Sequence, residues 1–314
     1  KIRNPSMLDW IIEPLSLSFM QRALMLGVLL GILCAIVGSY MIVQQMGMLA
    51  HAISHSVMAG LPIAYVVGVA LSIGALVAGV ISALVLYLIE SRSRVKTDAA
   101  MALILTSFVA IGVVLVSILP GANRIDLVHI LFGNILGVTM TEVWWSLAVT
   151  VVGIILVRLF FKELLFYTFD PKGAQASGMP VHWYNASLIT AMTVTIVVCL
   201  PTVGALLVVA LLVAPAATAY LLVKELHQMM WVGSIIGALS SVIGMYMSYY
   251  LDAPSGASIV LISFCFFCLA FFFSPSEGLL VNLWTQRQRS HLTDADEADQ
   301  TLVMHSLNSP ERKF

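Results

Sequence analysis

The sequence predicts an all-α membrane protein, a polytopic bundle of eight or nine membrane-spanning helices. Of its 314 residues, 60% are hydrophobic and only 10% are charged, and the mean hydropathy is +1.00. Soluble domains carry about 25% charged residues, because charged side chains cover the surface that faces water. A soluble globular enzyme is therefore excluded, and a lipid bilayer is the expected solvent.

Long apolar windows support this fold class. A helix needs about 20 mainly apolar residues to cross the hydrocarbon core. Polar residues and Pro62 interrupt the second window, so it is expected to be the least regular, a candidate for a broken or re-entrant helix, and a count of eight spans stays open. The nine windows are 19–43, 48–69, 71–89, 98–119, 142–161, 183–200, 203–222, 229–250 and 256–275.

The basic residues of the short loops predict the orientation, because Lys and Arg concentrate on the cytoplasmic side. With nine spans and the N-terminus outside, nine of these basic residues lie on the cytoplasmic side and four on the outer side. We therefore expect an interfacial segment over 1–18, a transmembrane domain over 19–285 and a polar, disordered cytoplasmic tail over 286–314. Residues 126–138 are expected to form an outer helix, either interfacial or at the mouth of a pore. The cytoplasmic set is Arg92, Arg94, Lys96, Arg158, Lys162, Lys172, Lys224, Arg287 and Arg289, and the outer set is Lys1, Arg3, Arg22 and Arg124.

Several functions are excluded by what the sequence lacks. Lys and Arg number 15 against 16 Asp and Glu, so no positive field favours nucleic acid. The chain has no GxxxxGK[ST] phosphate loop, no HExxH and no GxSxG. It is therefore not expected to be an enzyme, and energy for any transport must come from a partner or a gradient.

Two histidines in the second window form the first candidate site. His51 and His55 are four residues apart, so on a helix they share one face and both can reach one divalent cation. Ser54 lies beside them as a further oxygen ligand. Ionisable side chains at membrane depth are costly and usually face an aqueous path. The alternative is a pair of interfacial histidines that bond neighbouring carbonyl groups.

A second motif lies in the loop after the fifth window. Asp170 before Pro171 is typical of a helix N-cap followed by the first helical residue, and Gly178 supplies a C-terminal stop. The motif predicts a short capped helix of about two turns on the cytoplasmic side. Such a helix can dock on another protein, and a plain surface helix is the alternative.

A third motif surrounds Pro215. This proline removes one helical hydrogen bond, and the neighbouring alanines leave a smooth surface around it. The motif predicts a hinge or a channel wall, and a kinked structural helix is the alternative.

Several of these motifs resemble the permease subunits of the manganese, zinc and iron family of ABC importers. Each motif is short, and their order and spacing from about residue 19 to 275 carry the resemblance. The motifs are Ser54-His55 with Gly60, Asp98-Ala99-Ala100, Leu131-Phe132-Gly133-Asn134 with Gly137, Phe169-Asp170-Pro171, Val203-Gly204 through Pro215-Ala216-Ala217, and Asp252-Ala253-Pro254-Ser255-Gly256-Ala257.

The resemblance implies a fold like that of type II ABC importers, in a prokaryotic plasma (inner) membrane. It implies a permease that pairs with a second copy around a central pathway, receives a divalent cation from an extracytoplasmic binding protein, and is driven by a cytoplasmic ATPase dimer. It also implies that the ATPase-coupling region includes Phe169, Asp170, Pro171, Ala174 and Gly178.

In this family the helix with the histidine motif lines the pathway. The family often has Asp four residues before the His, and here that position is His51. A two-fold dimer would therefore present His51 and His55 twice. No permanently bound cofactor is expected. The resemblance favours manganese as the transported ion, although imidazole also suits zinc, and iron is a third candidate.

Two other classes of function remain at this point. One is an ATP-independent, proton-coupled secondary metal transporter that uses His51, His55 or Asp98. The other is a membrane scaffold that transports nothing, which the paired polar residues within a span disfavour.

Overall fold

The computed structural model describes residues 12–119, 133 and 135–274, and the regular structure of this part is helical. The tail over 286–314, most of the interfacial segment over 1–18 and most of the helix expected over 126–138 lie outside it. The helices are α1 Ser18–Val43, α2 Gly47–Val67, α3 Leu71–Arg92, α4 Thr97–Ile118, α5 Met140–Leu159, α6 Phe161–Phe169, α7 Pro171–Ala176, α8 Val181–Leu222, α9 Leu226–Leu251 and α10 Ser255–Phe273.

Eight of these helices are long and apolar enough to cross a membrane, namely all except α6 and α7. The 42 residues of α8 would extend about 63 Å as one straight helix, twice the thickness of the hydrocarbon core. Gly204 interrupts α8 with φ 79° and ψ 160°, a conformation that is open almost only to glycine.

The two ends of α8 lie at the same end of the bundle. Leu188, near its start, shares one buried cluster with Ala216 and Ala219, near its finish, and the side chain of Tyr40 from the end of α1 joins them. The chain therefore reverses at Gly204 into two halves, α8a (181–203) and α8b (205–222), about 34 and 27 Å long. Both windows predicted in this region are thus present, as the arms of one hairpin within one long helical segment.

Helix α2 is continuous over 21 residues, with Pro62 inside it. Neither a break nor a re-entrant turn occurs. Pro62 has no N–H to donate to the carbonyl of Met58, and Gly112 of α4 packs directly on that carbonyl. On another face Gly60 lies against Gly74 of α3. Packing from both neighbours therefore keeps α2 helical through the proline.

The centre of the bundle consists of α1, α2 and α8, in each of which 67% of the most apolar stretch is buried, against 17% in α4 and α5. Helix α1 packs mainly on α9 and α8. Its glycines allow backbone contact, since Gly31 lies against Gly237 of α9 and Gly38 against the Leu212 carbonyl of α8b. Small residues allow helix backbones to approach this closely in a membrane.

Gly38→Ala should destabilise the bundle. The added methyl group would overlap the backbone carbonyl of Leu212, and the loss is expected to be about 1–3 kcal/mol in the free energy of unfolding, the usual cost of overpacking. The midpoint of thermal unfolding in detergent is the measurement.

Gly47→Ala is the matched control, because nothing lies within 4 Å of the methyl group it would add. Its effect should stay within about 0.5 kcal/mol. Equal midpoints for the two variants would contradict the close contact of α1 with α8b.

Candidate metal site and cytoplasmic segment

The two predicted histidines lie side by side on α2. The ring centroids of His51 and His55 are 4.6 Å apart, with an angle of 68° between the planes, and both side chains are half-buried. Met48 lies on the same face and is 49% exposed. Because α2 begins at Gly47, the histidines are about 6 and 12 Å along the helix from that end. Between residues 49 and 62, His51 and His55 are the only residues of α2 that are not buried, so the pair is accessible from one side of the helix.

Ser54 has a free hydroxyl group. Its side chain is fully buried, and its Oγ has no hydrogen-bond partner. Two residues along the same helix, the Ser56 hydroxyl donates to the Ala52 carbonyl at 2.6 Å, which is the usual way to satisfy a serine inside a membrane helix. The Ser54 hydroxyl therefore stays available as a ligand, on the flank of the helix next to the histidine face.

One chain alone offers an incomplete ligand set. Among the residues that the structure describes, no group of three or more His, Cys, Asp or Glu side chains comes together. Zinc sites usually have four ligands and manganese prefers six with a large share of oxygen. Two imidazoles and one hydroxyl therefore leave coordination positions for water or for another chain.

The loop after α5 folds into the predicted capped helix α7. The Asp170 side chain accepts a hydrogen bond from the Gly173 N–H at 2.8 Å, and Pro171 is the first helical residue. At the other end Gly178 has φ 82°, and the Met179 N–H bonds the Ala174 carbonyl at 3.0 Å. This is a glycine C-cap of the Schellman type, so both ends of α7 are fixed by local chemistry.

Helix α6 ties α7 to the bundle; we name residues 161–178 the α6–α7 segment. The rings of Tyr167 in α6 and Tyr184 in α8a stack with centroids 6.3 Å apart. The Gln44 amide, just beyond α1, donates to the Thr168 hydroxyl at 3.2 Å. Burial raises the pKa of Tyr167 and keeps it neutral. The segment is therefore attached to the end of α1 and the start of α8a.

The five residues predicted for ATPase coupling differ in exposure. Phe169 is 60% exposed, and Asp170, Pro171 and Gly178 are also exposed. Ala174 is fully buried, so it supports the segment and offers no surface to a partner. The anchoring residues Tyr40, Gln44 and Tyr184 were not predicted, because each is distant in sequence from the motif and nothing local marks it.

Pro215 lies inside α8b and is buried. Its carbonyl faces Gly233 of α9, and Ala216 faces Gly38 of α1. The segment is therefore helical through Pro215, and the reversal of the chain occurs eleven residues earlier, at Gly204. A role as a hinge or a channel wall stays a prediction.

Comparison with known proteins identifies the family. Residues 16–274 match the ABC 3 transport family. The manganese transport system membrane protein MntC of Halalkalibacterium halodurans is 41% identical over 279 residues, which cover 89% of this chain and 95% of that protein. A probable iron transport system membrane protein of Haemophilus influenzae is 37% identical over 274 residues, covering 87% of this chain and 96% of that protein.

A solved structure has the same fold. The complex of PsaBC from Streptococcus pneumoniae with a Fab contains a chain that is 36% identical and superposes with a TM-score of 0.77, covering 87% of this chain and 98% of that one. The chain therefore belongs to the ABC 3 transport family, and it is the membrane permease of an ABC importer for manganese or a related metal, whose ATPase is a separate protein.

Proposed function

We propose that this permease imports Mn²⁺ and that His51 and His55 bind the ion during its passage. The observation that carries the proposal is the half-buried imidazole pair on a core helix, in a chain whose relatives include a protein named for manganese transport. Imidazoles at membrane depth are energetically costly and usually mark a functional site. Binding of the transported ion is the function that we assign to this pair.

A second copy of the permease would complete the coordination. A two-fold axis beside the exposed face of α2 presents each histidine twice, because such an interface uses the same patch on both chains. Four imidazoles and the Ser54 hydroxyls can replace part of the ion's hydration shell. Because each chain supplies only two imidazoles, the shared site comes apart when the two chains move apart. This suits a site that must release its ion.

The choice of manganese is supported by the relatives rather than by the ligands. Imidazole has a higher affinity for Zn²⁺ than for Mn²⁺, so zinc is the main competitor for the site. The ATP-independent secondary transporter loses its support, because the chain belongs to an ABC family. The membrane-scaffold alternative also loses its support, because members of this family are transport proteins.

ATP-driven closure of a cytoplasmic ATPase dimer would act through the α6–α7 segment. Phe169 and Pro171 form its exposed surface, while Tyr167 and Thr168 connect it to α8a and α1. Beneath it the Tyr40 hydroxyl and the Gln44 Oε1 are buried without hydrogen-bond partners. Closure of the ATPase dimer would shift this segment and rock the spans to which it is attached.

The proposed orientation places this segment in the cytoplasm of a prokaryotic cell and the N-terminus outside, where an extracytoplasmic binding protein delivers the ion. The ends of α1 and α8 and the start of α9 share one end of the bundle. Lys162, Lys172 and Lys224 lie near that end, in agreement with the concentration of basic residues on the cytoplasmic side. The division into an interfacial segment (1–18), a permease domain (19–285) and a tail (286–314) stays a prediction.

Replacing both histidines, His51→Ala with His55→Ala, should abolish ATP-dependent import. Loss of the ligands leaves the ion with no substitute for its water shell inside the membrane. The uptake rate should fall at least about 100-fold, because loss of even an outer-shell partner of a metal ligand costs about 10–100-fold. The measurement is uptake of radioactive Mn²⁺ into proteoliposomes that hold the permease, its ATPase and the binding protein, with Zn²⁺ and Fe²⁺ as competitors.

His182→Ala is the control, since it removes an exposed histidine outside α2 and should leave uptake unchanged. Full uptake by the double variant would exclude the site. Transport of zinc alone would leave the permease function standing and exclude manganese as its ion.

Phe169→Ala should uncouple the permease from its ATPase. An exposed aromatic ring adds little to folding, whereas a ring seated in a partner's pocket commonly contributes about 2 kcal/mol or more to binding. The thermal midpoint should therefore stay constant while co-purification of the ATPase and transport both fall. Phe264→Ala on α10, where the ring is 57% exposed, is the matched control. Unchanged co-purification and transport in Phe169→Ala would contradict docking at this surface.

A further inference from the structure

A groove runs along one side of the bundle, away from His51 and His55. Its floor is α1, its walls are α5 and α9, and the first residue of α6 closes one end. The cavity volume is about 330 Å³. The wall residues Ile154 and Ile235 are 41% and 55% exposed, so the groove opens sideways, where membrane lipid surrounds the protein.

The groove spans one leaflet of a bilayer. Its lining on α9 extends from His227 to Ala238, a rise of about 16 Å along the helix. The hydrocarbon core of a bilayer is about 30 Å thick, so this length matches half of it. His227 lies in the first turn of α9 and Arg158 in the last turn of α5, and one end of the groove is therefore at the membrane surface.

The groove is narrow for its length, extending about 16 Å along α9 with a cavity volume of about 330 Å³. Its inner part is lined by aliphatic side chains, among them Ile32, Ile36 and Ile154. One acyl chain is the occupant that this shape and lining suit.

The surface end of the groove is cationic. Arg158 and His227 line it beside Trp231, whose ring is 72% exposed at the depth where interfacial aromatic residues lie. Arg158 forms no ion pair within the described part of the chain. The exposed Glu225 carboxylate lies 3.3 Å from His227 Nδ1.

A second groove on the other side of α5 supplies an internal comparison. It lies between α5, α1 and α8a, with a volume of about 710 Å³, and no Lys, Arg or His lines it. Only the smaller groove therefore combines an apolar channel with positive charge at its surface end.

We propose that the groove between α1, α5 and α9 binds one anionic phospholipid, with an acyl chain along α9 and its phosphate at Arg158 and His227. The assignment of this lipid to the cytoplasmic leaflet rests on the orientation of the protein proposed above. Binding of the lipid to the groove does not depend on that orientation. Arg158 is followed after two residues by Phe161 of α6, which also lines the groove. The bound lipid thus contacts the junction between a span and the α6–α7 segment.

Native mass spectrometry of the full chain, purified with its ATPase in detergent, tests the proposal directly. Phosphatidylglycerol and phosphatidylcholine with identical acyl chains are the two probes. We expect one retained phosphatidylglycerol per permease, bound about tenfold more tightly than phosphatidylcholine, because the choline cation cancels the charge of the same phosphate and is repelled by Arg158. Equal retention of the two lipids would overturn the proposal.

Two variants test the surface end and the inner end of the groove independently. Arg158→Glu should reduce phosphatidylglycerol to the phosphatidylcholine level, with Arg158→Gln as the milder version if the first variant is unstable. Ala238→Phe should fill the inner end and weaken both lipids without a change of charge. Arg92→Glu, in the last turn of α3, is the matched control and should bind like the unmodified chain.

Two results would show that the site is something else. Competition by soluble glycerol phosphate at concentrations similar to the lipid would mean a simple anion site without a chain groove. Spontaneous cross-linking between two copies that carry Trp231→Cys would mean that protein covers the groove. Neither result bears on metal uptake, so failure here and failure of the proposed transport function are distinguishable.

Discussion

Direct backbone contact between helices is the constraint on which this bundle depends. Lipid tails are as apolar as leucine, so burial of apolar side chains gives membrane helices little reason to associate. Contact of Gly31 with Gly237, and of Gly38 with the Leu212 carbonyl, brings α9 and α8b onto α1. Because Tyr40 lies in the last turn of α1 and Gln44 just beyond it, the same packing determines where the α6–α7 segment attaches.

The candidate metal site follows from the way α2 is held. Its packed faces contact α3 and α4 at backbone distance, and the histidine face is left half-exposed. Packing of α2 thus fixes the position of two imidazoles, and among the described residues no third His, Cys, Asp or Glu side chain joins them. A rigid helix with an incomplete ligand set suits a site that is assembled between two chains and disassembled in each transport cycle.

Features with local causes could be predicted from the sequence. The apolar windows follow from bilayer thickness, and the capped helix follows from Asp170, Pro171 and Gly178, all of which act within a few residues. The spacing of His51 and His55 placed them on one face for the same reason.

Features with tertiary causes could not be predicted. Pro62 and Pro215 suggested a break and a hinge, yet neighbouring helices keep both segments helical. The reversal occurs instead at Gly204, where Gly133 from a distant loop packs against the turn. The free Ser54 hydroxyl and the cationic groove likewise depend on side chains from several helices.

The number of ions bound per chain tests most directly whether the site is shared between two permeases. Electron paramagnetic resonance of free Mn²⁺ can be followed during titration of the full permease with its ATPase in a lipid bilayer. One ion bound per two permease chains, abolished by joint replacement of His51 and His55, is the expected result. One ion per chain, or binding that survives the loss of both histidines, would contradict a site shared across the two-fold axis.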